Sequence, residues 1–186
     1  MSTFLTWAGG KSKVMHHITP HIPSVMHNYY EPFVGGGSIL LYVLHQVEKG
    51  DVTTTGTFVC GDVNLPLILC YRAVKQDVEG VIQFFDSLCN SYQSCKEKTE
   101  CTRKTGAICL CKECYYFAIR LLFNAHHQVV RSAANVDQID APMLCQFASF
   151  FLFLNSTCYR GLYRESKAGL MNSCYWTRRN IIRKYD

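Results

Sequence analysis

Two acids flanking a run of glycines are the first places where this chain could do chemistry. Glu31 opens the stretch Glu31-Pro32-Phe33-Val34-Gly35-Gly36-Gly37-Ser38, and Asp62 closes Thr57-Phe58-Val59-Cys60-Gly61. Consecutive glycines take positive φ at little steric cost and let a ligand approach the backbone closely. An acid just ahead of them disfavours a phosphate. It suits a ligand with hydroxyls, an amine or a positive centre. Asp62, at the end of the next strand-like run, is placed to accept hydrogen bonds from ribose hydroxyls. Upstream, Trp7-Ala8-Gly9-Gly10-Lys11 lacks the spacing of a phosphate loop. It reads as a bend that holds the flat face of Trp7 and the cation of Lys11 near a ligand.

Two further clusters carry chemistry. Tyr159-Arg160-Gly161-Leu162-Tyr163-Arg164, followed by Tyr175, Trp176 and four more basic residues, interleaves cations with aromatics. Cations meet phosphates and rings wedge or stack on bases, so this pattern suits a nucleic-acid surface. Cys95, Cys101, Cys109, Cys111 and Cys114 crowd a polar segment. Cys111 and Cys114 have the gap of a zinc knuckle, but the second tight pair is missing. Zinc on Cys109, Cys111 and Cys114 with one of the others, or reduced thiols, are the two readings. His16, His17, His21 and His27 have no acid or cysteine at ligand spacing and read as surface residues.

The elements that must position these groups follow from apolar periodicity. Tyr29 to Val34 suits a buried strand, and Ser38 is placed to cap a helix through Ile39, Leu40, Leu41, Val43, Leu44 and Val47. Thr57 to Gly61 is a second strand. Strand, helix and strand together form a unit whose strands run parallel with a right-handed crossover. Asn64 is placed to cap a helix from Leu65 to Val74 while Asp62 binds. Val78 to Leu88 continues as another helix, and Asn90 to Ala107 reads as a loop or insertion. Tyr115 to Asn124 and Leu144 to Leu154 are helices, the second apolar enough to be buried.

With 186 residues, 48% of them hydrophobic, the chain can bury a core as one domain, which excludes a disordered chain. A net charge of +5 allows a nucleic-acid partner without demanding one. The longest apolar run, Phe147 to Leu154, is too short to span a bilayer. The N-terminus lacks the apolar core of a signal peptide, so the expected location is intracellular, cytoplasmic or nuclear. Eleven cysteines, an odd number, then read as thiols or metal ligands rather than disulfides.

Taken in order, these stretches resemble the Dam-like (D12 class) DNA adenine-N6 methyltransferases. Trp7 to Lys11 resembles the family's first cofactor motif, Glu31 to Gly37 its main S-adenosylmethionine motif, and Asp62-Val63-Asn64 its ribose-binding position. Tyr115 to Asn124, with Arg120, is similar to its Tyr-Tyr…Arg…Phe-Asn helix. Leu154 to Arg164 resembles its target-recognition segment, and Gly169-Leu170-Met171-Asn172 the Gly-x-Phe-Asn that follows. Arg160 stands where the family usually carries asparagine, and Thr6 where some members carry lysine.

The resemblance implies an α/β fold: an incomplete, Rossmann-like methyltransferase sheet with a helical target-recognition region. Residues 1–89 would form the cofactor-binding part, 90–114 a cysteine-rich insertion and 115–186 the recognition region. Trp7, Lys11, Glu31, Pro32, Phe33, Gly35, Gly37 and Asp62 would hold S-adenosylmethionine, and Tyr159, Arg160 and Arg164 would face duplex DNA. The family's Asp/Asn-Pro-Pro-Tyr/Phe tetrad, which accepts the adenine amino hydrogens and stacks the flipped base, has no counterpart, since no Pro-Pro occurs. Asp140-Ala141-Pro142-Met143 is the nearest string. The expectation is therefore a truncated or split enzyme, with a second chain supplying the catalytic motif. The alternative is a catalytically inactive relative that binds cofactor or DNA and carries a zinc-stapled insertion. An unrelated dinucleotide-binding enzyme is disfavoured by Glu31 and by the lack of Gly-x-Gly-x-x-Gly.

Overall fold

The computed structural model describes residues 3–97, 110–132 and 139–176. The chain forms two compact units, Met1–Leu65 and Pro66–Asp186. The expected functional parts divided instead at residue 89; α3 (Leu65–Gln76) and α4 (Val78–Gln93) fall almost wholly within the second unit.

The first unit is α/β. After short helical turns at Lys11–Val14, α1 (Met15–Ile18) and Thr19–His21, the strands β1 (Val25–Met26), β2 (Tyr29–Glu31), β3 (Thr53–Thr54) and β4 (Phe58–Cys60) form two parallel pairs. β1 pairs with β3. β2 pairs with β4 in the register Tyr29↔Phe58, Tyr30↔Val59, Glu31↔Cys60. α2 (Ser38–Lys49) lies between β2 and β4 in sequence, giving the expected strand–helix–strand unit with parallel strands. Its apolar positions recur at helical spacing, and Val43 is fully buried. Gly50, at φ 80°, ends it by donating to Gln46 and Val47 carbonyls, a turn that only glycine enters without strain.

The second unit is helical. α4 and α5 (Lys112–Ser132) pack on α6 (Ala141–Thr157). α6 is apolar round most of its circumference, which is why Phe147, Phe151, Phe153 and Leu154 are all fully buried. Phe123 of α5 stacks on Phe147 at 4.9 Å between ring centres, and Tyr92 of α4 meets Phe153 edge-on at 5.5 Å. Ser149, buried among these rings, shares its one hydroxyl hydrogen between the Val81 and Cys145 carbonyls and so is not orphaned. Past α6 the chain folds back on itself: Tyr159 N–H reaches Cys174 O (2.9 Å) and Trp176 N–H reaches Thr157 O (3.0 Å).

Several local expectations differ from what forms. Ser38 does not cap α2. It is the first helical residue, Gly37 at φ 72° holds the cap position, and the Ser38 hydroxyl pairs with Ser12 at 2.9 Å. Asp62 also shapes the turn before α3, accepting the Asn64 N–H at 3.0 Å. α5 is twice as long as the Tyr115–Asn124 pattern suggested, because its polar residues are used on one face rather than marking an end. Part of the expected loop from Asn90 to Ala107 is the last turn of α4, and residues 98–109 lie outside the described residues. Asp140-Ala141-Pro142-Met143 is a helix start: Asp140 accepts the Met143 N–H at 2.7 Å, and Pro142 sits in the first turn, where no amide partner is needed.

Candidate functional site

Glu31 is the last residue of β2 and Asp62 stands two places past Cys60, its partner in β4. Both acids therefore occupy the carboxyl ends of adjacent parallel strands, where open α/β sheets bind ligands. A cavity of about 440 Å³ opens there, lined by Trp7, Lys11, Glu31, Pro32, Phe33, Gly35, Gly37 and Asp62 among others. All eight residues singled out in the sequence for a cofactor meet around it.

The backbone fixes the acids before any ligand arrives. Asp62 accepts the Gly35 N–H on one oxygen (3.0 Å) and the Asn64 N–H on the other (3.0 Å). Each oxygen keeps a second lone pair, so the carboxylate is oriented and still able to accept. Glu31 accepts the Tyr29 hydroxyl at 2.6 Å. Burial pushes the Glu31 carboxyl above its ordinary value, against the Tyr29 hydroxyl and the Leu40 backbone N–H, which both favour the carboxylate. Burial and the bond to Glu31 push the Tyr29 phenol far up in turn. Tyr29 is a member of this site that the sequence reading assigned only to a strand. Its signal was the alternation that puts residues 29 and 31 on one side of β2.

Trp7 lies against the glycine loop. A Cβ on Gly35 or Gly36 would come within 3.1 Å of the Trp7 side chain, and Gly35 itself is at φ 49°. Close packing against Trp7 thus favours glycine at both positions, and backbone conformation favours it at Gly35. Lys11 is exposed and donates to Gly9 O at 2.8 Å, which leaves two ammonium hydrogens for a ligand carboxylate. Phe33 is 82% exposed at the cavity, an unusual position for a large apolar side chain.

In the helical unit, Tyr159, Arg160 and Arg164 are all exposed. Arg160 is in the left-handed conformation (φ 55°, ψ 17°), and its guanidinium lies 5.2 Å from the Tyr159 ring centre. Behind them, one face of α5 grips the chain that follows. Tyr116 and Arg120 donate to Ser173 O at 2.8 and 2.9 Å. Asn124 donates to Met171 O at 3.1 Å and accepts Met171 N–H at 2.8 Å. His127 donates to the Gly169 backbone, and Arg131 occupies the space a side chain at Gly169 would need. Tyr116, Arg120 and Asn124 of these were visible beforehand, as part of a family-like helix; His127 and Arg131 were not. The missed signal was polar residues three or four apart down an otherwise apolar helix.

The described cysteines do not converge. Among the described residues no group of three or more His, Cys, Asp or Glu is placed to hold a metal. Cys95 leans on the Ser91 carbonyl at 3.3 Å and Cys111 is buried at the start of α5. Cys101 and Cys109 lie outside the described residues. Nor, among the described residues, is any helix long and apolar enough to cross a membrane.

Strand-end acids beside a glycine turn, with a separate basic and aromatic surface, are the marks of a Rossmann-like methyltransferase. The family model for D12 class N6 adenine-specific DNA methyltransferases matches residues 7–186. The chain belongs to this family, whose methyl donor is S-adenosylmethionine. It is 34% identical over 182 residues to the type II methyltransferase M.MjaIII of Methanocaldococcus jannaschii, covering 95% of this chain and 53% of that protein. It is 28% identical to the type II methyltransferase M.CviBI of Paramecium bursaria Chlorella virus NC1A, covering 92% and 49%. It is 27% identical to the DNA adenine methylase of Escherichia coli K12, covering 91% and 45%. The chain thus spans about half the length of these curated relatives.

Proposed function

We propose that this chain is the cofactor-binding and target-recognition portion of a DNA adenine-N6 methyltransferase. The observation that carries the reading is the pair of carboxylates, Glu31 and Asp62, fixed at adjacent strand ends around a cavity that also holds Trp7 and the glycine loop. That donor set fits S-adenosylmethionine: two acids for its hydroxyls, amine and positive sulfur, a flat apolar face, and Lys11 for its carboxylate. When bound, the cofactor supplies an electrophilic methyl group for adenine N6. Asp62 would accept from the ribose hydroxyls, Glu31 would set the negative potential, and Trp7, Pro32 and Phe33 would exclude water. Gly35 and Gly37 would let the ligand reach the backbone. Tyr159, Arg160 and Arg164 would meet duplex DNA.

Calorimetry with S-adenosylmethionine on the wild type and on Asp62→Ala tests the cofactor site. Loss of a ribose hydrogen-bonded pair should weaken binding by about 1–3 kcal/mol. Equal affinity in both proteins would remove Asp62 from the site.

The base-activating groups are a separate matter. The sequence holds no Pro-Pro pair, and the nearest string, at Asp140, caps a helix. We therefore expect no methyl transfer from this chain alone, because binding without transition-state stabilisation does not catalyse. One lost stabilising contact at a reacting centre costs about 10²–10³ in rate. A tritiated-methyl assay on unmethylated duplex, with and without a second chain bearing Asp-Pro-Pro-Tyr, decides this. Transfer by this chain alone overturns the expectation. Transfer in neither arm, with cofactor still bound, favours the rival reading of a catalytically inactive binding protein. Zinc on Cys109, Cys111 and Cys114 has no support from the described cysteines. Elemental analysis finding one zinc per chain would be needed to restore it.

A further inference from the structure

Tyr159 and Trp176 come together because of strand register. Cys158 and Tyr175 form an antiparallel bridge, flanked by the bonds Tyr159 N–H to Cys174 O and Trp176 N–H to Thr157 O. Residues directly opposite share a face and successive residues alternate. Cys158 and Tyr175 thus share the inner face, where Cys158 is fully buried and the Tyr175 hydroxyl bonds that of Tyr92 at 2.7 Å. Tyr159 and Trp176 share the other face as diagonal neighbours, a spacing within reach of aromatic side chains. Their ring centres lie 4.5 Å apart, edge to face. Arg160, turned back by its left-handed backbone, places its guanidinium over the Tyr159 ring. The result is a tyrosine whose ring contacts both an indole and a cation, with Tyr159 and Arg160 exposed and Trp176 half-buried.

We propose that Trp176 is a further DNA-contacting residue, stacking on bases of the duplex beside Tyr159 and Arg160. This rests on the reading of the segment as a DNA-recognition surface. Duplex DNA is favoured as the occupant by charge: Arg160, Arg164 and Lys167 are all exposed on the same segment, with Glu165 the one acid among them. Those cations supply phosphate contacts, which position without reading sequence, while an aromatic pair supplies the stacking that phosphates cannot.

The chain has two tryptophans, Trp7 and Trp176, so indole emission reports on this contact directly. A fluorescein-labelled random-sequence duplex is titrated at low salt, followed by anisotropy and by tryptophan emission. Saturating the wild type with duplex should quench tryptophan emission, and Trp176→Phe should abolish that change while still binding. Trp176→Ala should weaken binding by about 5- to 140-fold, the equivalent of about 1–3 kcal/mol of stacking. Its salt dependence should stay that of the wild type, whereas Arg164→Ala should flatten the slope by about 0.9. No quenching in the saturated wild-type complex overturns the proposal, and this measurement needs no variant to fold. Trp176→Ala binding as tightly as wild type, with Arg164→Ala weakened, also overturns it while leaving the DNA reading standing. A wild type that binds no duplex removes both.

Discussion

Asn124 is the position at which the architecture of the helical unit is most directly testable. Its side-chain amide mimics a strand partner: it gives a hydrogen bond to Met171 O at 3.1 Å and takes one from Met171 N–H at 2.8 Å. Met171 is 2% exposed, so water cannot readily replace either contact. Asn124→Ala removes two hydrogen bonds, each worth about 0.5–1.5 kcal/mol net, and leaves a buried donor and acceptor whose orphaning costs about 1–3 kcal/mol each. Local relaxation that admits water offsets part of this. The expected loss is about 2–4 kcal/mol, a large share of a stability of about 5–15 kcal/mol. Asn124→Asp should be no better than alanine. It keeps the acceptor for Met171 N–H but sets a charged oxygen against Met171 O. Urea unfolding followed by tyrosine fluorescence measures the loss, and hydrogen exchange locates it at the Met171 amide. A loss below about 0.5 kcal/mol, the range of an ordinary surface substitution, would refute the reasoning, as would unchanged exchange at Met171.

Two further outcomes follow from the same unit. At Arg160, φ 55° disfavours β-branched side chains most and asparagine least. Arg160→Val should be less stable than Arg160→Asn by about 1–2 kcal/mol in thermal unfolding, both having lost the same cation; equal stabilities would mean the turn relaxes at no cost. His127 is buried and its Nδ1 has no partner among the described residues, and burial lowers its pKa despite Glu165 and the Gly169 bond, with Arg131 adding to the lowering. The unfolded chain then binds the extra proton first, so this contribution to stability is complete above about pH 6.5 and is lost as pH falls from there through the folded value. His127→Gln should flatten the acid limb of a stability-against-pH curve; an unchanged limb would assign it to other groups.

What was legible in the sequence was what is decided locally. The β2 strand, its glycine turn, α2 and the acid after β4 are all read from residues within a few places of one another, and so they appear where turn chemistry and periodicity put them. The gathering of eight residues at one cavity was also legible, because a parallel pair joined by a helix brings both strand ends to one edge. Ser38 was misread because its preference for cap positions is weak beside the demand for positive φ at residue 37, which glycine meets and serine does not. The role of the α5 face was not legible, for a different reason. Tyr116, Arg120, Asn124, His127 and Arg131 find their backbone partners only when the chain from Ala168 to Ser173 is laid along them. That partner lies some fifty residues away, and no local pattern announces it.

Glu31 shows how one residue can set the ligand class of a common turn. Gly37 caps α2 without a side chain, so the first-turn N–H groups of that helix are left for other acceptors. In dinucleotide-binding folds a ligand phosphate fills that position, held by those N–H groups and the helix dipole. Here the Glu31 carboxylate reaches it, drawing on the Leu40 N–H, and Tyr29 donates from the other side. The helix N-terminus stabilises the acid, as it would a phosphate. Burial still wins, since the carboxyl stays above its ordinary pKa, which means its negative charge is only partly compensated by the protein. A pyrophosphate would add a second anion to a place already occupied by one. A cationic ligand completes the compensation instead. The glycines give the close approach that either ligand needs, and the acid before them decides the sign of charge that is welcome.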